Sequence, residues 1–428
     1  MNESTQDLIS QGIELMATQR YDAAKAVFER AVAADPTCFE AQMHFGNACE
    51  SLGQHDEGIA TFKRALILRP ESGEARYSLG CAQFLAGNNV EALKEFNRCE
   101  QMGFASVEMY GIMEVIFADA KDLTQAVRCA NRAIALAPLN PRPYLDKAQL
   151  FLLANKPAEA ISTLHEVEEL LPDAGDPYLL EARIHRQLQE FDEALAVVAR
   201  ARARFPEDGP LAVEEVRLLN DKGDHAAAVA KLGPARDLAA GSGELLRELD
   251  FQEGIARSGL QDVDGSVKVL EHLAQDEKAG AEALFLLVSE CYATERFEEA
   301  AAYGERLASL EGAEARLAAA GLFWASMARR QLGRESDAAV REVARRLRKV
   351  TIAQPGLVEV YVYRALCHRE LGEYDRALAL ADHLITLAPQ AGAGHRVKAD
   401  ILEASGDAAA AASERARADE LDAAAAQA

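Results

Sequence analysis

Aromatic residues are scarce in this chain: they make up 6% of 428 residues, with a single tryptophan, Trp324. Alanine and leucine therefore supply most of the 49% apolar content, and both are strong helix formers, so the composition points to an all-α protein. Cysteine is sparse and scattered: Cys38, Cys49, Cys81, Cys99, Cys129, Cys291 and Cys367 are odd in number and include no Cys-x-x-Cys. That excludes a disulfide framework or a zinc site and fits buried thiols in a reducing cytoplasm. Long apolar runs are missing too. Ala283 to Val288 is among the longer ones, far below the roughly 18 residues that span a bilayer. The start, Met1-Asn2-Glu3-Ser4, is polar and acidic and does not read as a secretory signal. Basic residues are outnumbered, 46 to 69, and a net charge of −23 repels polyphosphate, which argues against broad nucleic-acid binding.

What is present is a rhythm. Pro36, Pro70, Pro138, Pro172 and Pro206 are separated by 34, 68, 34 and 34 residues. Ala24, Gly58, Ala92, Ala126, Ala160, Ala194 and Ala228 keep the same period, as do Gly12, Gly46, Gly80, Glu114, Ala148, Ala182 and Val216. A fixed period of 34 marks stacked helix pairs, each unable to bury its apolar face alone. In residues 39–72, Met43, Phe45, Gly46, Cys49 and Leu52 recur at helical spacing, and Gly53 stops this first helix. Asp56 stands at an N-cap-like place, and Gly58, Ile59, Phe62, Ala65, Leu66 and Leu68 form the buried stripe of the second helix. Gly46 and Gly58 are expected where the two helices cross.

These places resemble the tetratricopeptide repeat (TPR) family, whose pattern sets Leu-Gly, a Tyr, a small residue, an aromatic, Ala and Pro at fixed offsets. The second unit has Gln42, Phe45-Gly46, Cys49, Gly58, Phe62, Ala65 and Pro70 there. The third has Arg76, Leu79-Gly80, Gln83, Ala92, Phe96 and Cys99, and the eleventh Tyr361, Ala365, His368, Ala377, Ala381, Leu384 and Pro389. The resemblance implies a right-handed superhelical solenoid of about twelve antiparallel helix pairs. Units begin near residues 5, 39, 73, 107, 141, 175, 209, 247, 281, 319, 358 and 392. The division that follows is 5–242 for seven units in strict register, 243–356 for units eight to ten with insertions, and 357–428 for the last two with a C-terminal capping helix. Gly241–Gly243 and Gln354–Gly356 are the expected joints, and the second helix of the tenth unit, Asp337 to about Ile352, is expected to be long.

Catalytic signatures are not found: there is no P-loop, Gly-x-Ser-x-Gly, His-Glu-x-x-His or dinucleotide fingerprint, so the expectation is a non-enzymatic protein without cofactor or metal. The family resemblance implies a concave groove lined by the first helices, with the second, fifth, ninth, twelfth and thirteenth places of each unit facing it. Those places hold an apolar strip, Tyr77, Phe84, Leu145 and Leu152 with Gln149, then a basic cluster, Arg183, Arg186 and Arg217 with Asn220, then a second apolar strip, Phe285, Tyr292, Phe323 and Met327. The cluster suits a carboxylate or a phosphorylated segment. Rival readings have the strips packing on adjacent helices and the arginines answering Glu181, Glu214, Glu215 and Asp221. A carboxylate clamp would need Lys at a fifth place, and Met43 stands there beside Asn47. A further basic run, Arg341 to Lys349, reads either as a solvated face or as an outer docking surface for an acidic partner or RNA. The leading expectation is a cytoplasmic scaffold or adaptor that holds an extended or helical segment of another protein. The alternative is a regulatory sensor of a small peptide or metabolite. Self-association through the apolar strips is a second use of the same faces.

Overall fold

The structure, a computed structural model, describes residues 4–171 and 173–425. Pro172 of the proline series, the first three residues and the end of the Ala-rich tail, 426–428, lie outside the described residues. Among the described residues there are twenty-four helices and no strand. They fall into two compact units that divide between Leu180 and Glu181.

In the first unit, α1 (Thr5–Ala17) pairs with α2 (Tyr21–Ala34), α3 (Phe39–Ser51) with α4 (His55–Leu68), and α5 (Gly73–Leu85) with α6 (Asn89–Gln101). Next, α7 (Val107–Asp119) pairs with α8 (Leu123–Leu136), and α9 (Arg142–Leu153) with α10 (Pro157–Leu170). Helix α11 (Asp176–Gln187) carries the division between units, and α12 (Phe191–Arg204) follows it. In the second unit, α13 (Gly209–Lys222) pairs with α14 (His225–Ala239), α15 (Gly243–Gly259) with α16 (Val263–Leu273), and α17 (Gly280–Ala293) with α18 (Phe297–Ser309). There α19 (Ala315–Gln331) precedes α20 (Asp337–Ala353), α21 (Val358–Glu370) pairs with α22 (Tyr374–Leu387), and α23 (Ala393–Ser405) pairs with α24 (Ala408–Ala425).

Each pair is closed by the same turn. One residue takes a left-handed backbone, at Gln19, Gly53, Gly87, Lys121, Asn155, Gln189, Gly223, Gln261, Glu295, Gly333, Gly372 and Gly406. The next N–H then reaches back to an orphan carbonyl of the first helix, as Gln54 N does to Cys49 O at 2.9 Å. Glycine marks only half of these turns, so the backbone geometry repeats more faithfully than the residue. Helix α4 begins at His55 after Gln54, two residues earlier than an Asp56 cap would place it, and Asp56 sits in its first turn, where a carboxylate favours the helix dipole.

The cores run between neighbouring pairs. Phe28, Phe62 and Phe96 are fully buried, and each ring lies against a glycine of its own pair: Gly12, Gly46 and Gly80. Gly58 instead approaches the carboxylate of Glu50, so it is Gly46, not Gly58, that sets the closeness of α3 and α4. Within the units first helices also touch first helices, α1 with α3, α3 with α5, α5 with α7 and α7 with α9, then α13 with α15, α17 with α19, α19 with α21 and α21 with α23. No second helix makes a contact of that extent with another second helix among the described residues. The first-helix side is therefore the inner side of each stack.

Insertions enter as helix. The eighth pair, expected near residue 247, starts at Gly243, with Ser242 Oγ accepting from Leu245 N at 3.3 Å, so four added residues make one more turn of α15. Likewise α19 starts at Ala315, ahead of the expected 319. Helix α20 is the long second helix expected from the sequence, 17 residues ending at Ala353. Contacts run through both expected joints, α14 on α15 and α20 on α21. The sequence division at 242/243 and 356/357 follows repeat register, whereas compactness divides the chain inside the strict-register stretch.

Candidate functional site

In the first unit the expected groove residues are mostly half-buried. The Tyr77 ring lies 6.1 Å from Phe96 and 6.2 Å from Phe104, and burial pushes its phenol pKa up. Phe84 packs on the same core, Leu145 and Leu152 are half-buried, and Gln149 is exposed. Much of this strip is thus committed to neighbouring helices.

The second unit carries the more developed site, along the inner faces of α11, α13, α15 and α17. Glu214 on α13 is 1% exposed and gathers three guanidinium groups. Arg183 Nε donates to Glu214 Oε2 at 3.5 Å, Arg217 Nη1 donates to the same oxygen at 3.3 Å, and Arg186 Nε lies 3.1 Å from Oε1 without hydrogen-bond alignment. The ladder continues both ways. Arg186 Nη1 donates to Asp221 Oδ2 at 3.2 Å, and Arg217 Nη2 lies 2.6 Å from Glu248 Oε1 on α15. Burial alone would depress the Arg217 pKa, but the carboxylates of Glu248 and Glu214 outweigh it and the net shift is upward. Gln252 Nε2 then donates to Glu248 Oε1 at 2.9 Å, and Asn220 Nδ2 donates to Gln252 Oε1 at 2.8 Å.

Three arginines thus face three acids, Glu214, Asp221 and Glu248. The basic cluster expected from the sequence does come together, but as a charge-balanced ladder. Arg183, with half of its side chain exposed and one long bond, is the member most open to a further anion.

Two hollows lie at the ends of the ladder. One, of about 480 Å³, is lined by Arg183, Arg186, Gln187, Gln189, Phe191 and Asp221. The other, of about 530 Å³, has Phe251 in its wall with Arg247 and Lys278 as cations and Glu244, Glu248 and Glu282 as anions. Arg247 is held only loosely, 3.7 Å from Asp276. A hollow with an aromatic wall and both signs of charge can take an apolar side chain and orient the peptide groups around it.

The second hollow was not among the expected residues. Glu248 and Phe251 occupy the second and fifth places of the eighth unit, so the phase that gave Tyr77 could have given them. Glu244 lies on the added turn of α15, for which the repeat offers no template, and Arg247 stands at the first place of the unit, which is not one of the places expected to face the groove.

The second apolar strip is mostly core. Phe323 and Met327 are 2% and 4% exposed, and Asn220 is 5% exposed. These three have no surface to offer a partner: for Phe323 and Met327 the cause is that α19 packs on α17, α18, α20 and α21, so more of its girth is covered, while Asn220 on α13 is held against Gln252 of α15. Phe285 is half-buried against the core, and Tyr292 packs at 4.8 Å from Trp324 and 5.4 Å from Phe297. Among the described residues no group of three or more His, Cys, Asp or Glu side chains is placed to hold a metal ion. No helix among them is long and apolar enough to cross a membrane.

The tetratricopeptide repeat profile matches residues 9–72, 50–102 and 116–174, and further tetratricopeptide repeat profiles match 151–214 and 359–391. Among curated proteins none matches the sequence. Among solved structures the chain is similar to yeast Tom70, with a TM-score of 0.51 and 13% identity over 96% of each chain. It is also similar to PilW, a type IV pilus biogenesis factor, with a TM-score of 0.39 and 21% identity over 49% of this chain and 98% of that one. With MamA the TM-score is 0.37 and the identity 20%, over 40% of this chain and 92% of that one. At 13% identity the likeness to Tom70 is one of fold.

Proposed function

The chain belongs to the tetratricopeptide repeat family, and from that membership we propose that it is a non-enzymatic protein–protein interaction scaffold whose inner face holds a segment of a partner protein. The observation that carries the reading is the hollow between α15 and α17. Phe251 supplies apolar area there, and Arg247 and Lys278 stand ready for a carboxylate or for peptide carbonyls. The ladder from Arg183 to Glu248 borders it and supplies fixed hydrogen-bonding groups along the same face. Complementary charge of this kind sets register and on-rate, while the buried aromatic supplies the larger share of the affinity.

The partner we infer is an extended or helical segment that places one apolar side chain against Phe251 and an acidic group near Arg247. Seven free thiols support action in a reducing compartment, the cytoplasm. Purification from source cells with wild type and with Arg247→Glu/Lys278→Glu, followed by mass spectrometry, tests the reading. A partner held by wild type and lost with the variant is expected. Unchanged recovery, or unchanged recovery with Arg183→Glu/Arg186→Glu/Arg217→Glu as well, overturns a groove-bound partner. The size of the hollow also suits a short free peptide, the sensor reading. A large rise in Tm with isolated peptides and no protein partner would favour it.

A further inference from the structure

Away from the inner face, α20 is the electrostatic exception in this chain. Its 17 residues carry five cations, Arg341, Arg345, Arg346, Arg348 and Lys349, against Asp337 and Glu342, so 5 − 2 = +3. The whole chain carries −23, leaving −26 for everything else. The helix buries Val340, Val343, Ala344, Leu347 and Thr351. At 3.6 residues per turn the opposite face collects Arg341, Arg345, Arg348, Lys349 and Ile352 in one stripe about 16 Å long.

The acids nearby are already spent. Asp337 accepts from Arg330 Nη1 at 2.9 Å, Glu342 pairs with Arg345, and Arg341 Nε donates to Glu373 at 3.0 Å. Arg346, Arg348 and Lys349 are exposed and pair with no carboxylate among the described residues. The following first helix adds to the same end. Arg364 Nη1 donates to Thr351 Oγ1 at 2.9 Å, its buried Nε has no partner, and its guanidinium sits 5.6 Å from the Tyr361 ring. In line with the cations, Ile352 is 68% exposed.

A solvated face accounts for this poorly. Like charges three and four residues apart each cost the helix a few tenths of a kcal/mol. The C-terminal dipole repays cations only in the last turn, and Arg341 and Arg345 lie well before it.

We propose that the outer face of α20 is a second docking surface, separate from the groove, for an acidic polypeptide segment whose carboxylates meet Arg345, Arg348 and Lys349 and whose apolar side chain covers Ile352. Guanidinium groups match carboxylates in a two-bond fork. The exposed Ile352 finds nothing to bury against in a phosphate backbone. A long polyanion would also meet the field of the remaining −26 charges, whereas a short acidic segment meets only the stripe.

The test is fluorescence anisotropy of the full chain with a labelled helical peptide bearing Glu at i, i+4 spacing and one central Leu. Saturable binding at low salt is expected, weakened at least tenfold by Arg345→Glu/Arg348→Glu/Lys349→Glu and several-fold by Ile352→Ser, with circular dichroism unchanged. All three cations are exposed, so folding is preserved. The proposal is overturned by absent binding, by binding indifferent to the triple variant, or by a single-stranded RNA or phosphatidylserine vesicles binding through the stripe more tightly than the peptide.

Discussion

Gly46 lies flat against the ring of Phe62: a β-carbon on residue 46 would stand 2.5 Å from Phe62 Cε1 and 2.7 Å from Cζ. The same relationship holds for Gly80 and Phe96, and one period earlier for Gly12 and Phe28. Ring and glycine together set how closely the two helices of a pair approach.

Gly46→Ala should therefore lower stability, although alanine is the better helix former. Overpacking against a fully buried ring costs about 1–3 kcal/mol, against roughly 1 kcal/mol gained in propensity. Adding Phe62→Leu should restore part of the loss, because Ala148 and Leu164 hold these two places in the fifth unit. Urea unfolding of the two single variants and the double variant measures the coupling. Additive losses would show that the ring is not what excludes the methyl group.

The left-handed turn residues make a second case. Gln261 holds φ +63° and Gly372 holds φ +69° at equivalent turns. Gln261→Gly should raise stability by up to about 1 kcal/mol and Gly372→Ala should lower it by about 1 kcal/mol. A β-carbon at 372 would meet nothing within 4 Å, so a loss there reports backbone strain alone. Thermal unfolding shifts of opposite sign are the expected result.

Glu114 occupies the place that Gly12, Gly46 and Gly80 hold in earlier units, and Ala130 stands at the place of their rings. Loss of the ring makes room for the carboxyl group. Burial pushes its pKa up to about 7 from an ordinary 4.5, with Asp146 adding to the rise and Arg142 opposing it. The folded chain then binds more protons than the unfolded chain between those two values, so stability falls as pH rises through that window. From pH 5 to pH 8 wild type should lose on the order of 2 kcal/mol relative to Glu114→Gln. Parallel pH profiles for the two proteins would refute the assignment.

At the ladder, Glu214→Gln should be costly, about 3–5 kcal/mol, because it strips a buried anion from three arginines. Arg183→Ala should cost less than about 1 kcal/mol, its side chain being half exposed. Calorimetric unfolding of both variants provides the comparison, and similar losses would show that Glu214 is not the hub.

Much of the fold was legible because a 34-residue period leaves few ways to bury its stripes. Pro36, Pro70 and Gly53 punctuate the chain where the structure turns. The insertions misled because extra residues can lengthen a helix as readily as a loop. Four residues before 247 became a turn of α15, and with them came Glu244 of the second hollow. Phe323 and Met327 were misplaced because periodicity assigns a face to a residue but cannot count how many neighbours cover that face.

By itself the sequence determined the repeating unit, its helical content and the family, since these follow from local propensity and from a period that recurs along the chain. Only the tertiary structure decided which cations are free. Arg183, Arg186 and Arg217 met acids brought in from α13 and α15, while Arg346, Arg348 and Lys349 met none among the described residues. Charge pairing across a stack depends on which side chains packing brings within a few ångströms, and a linear order of residues carries no record of those distances.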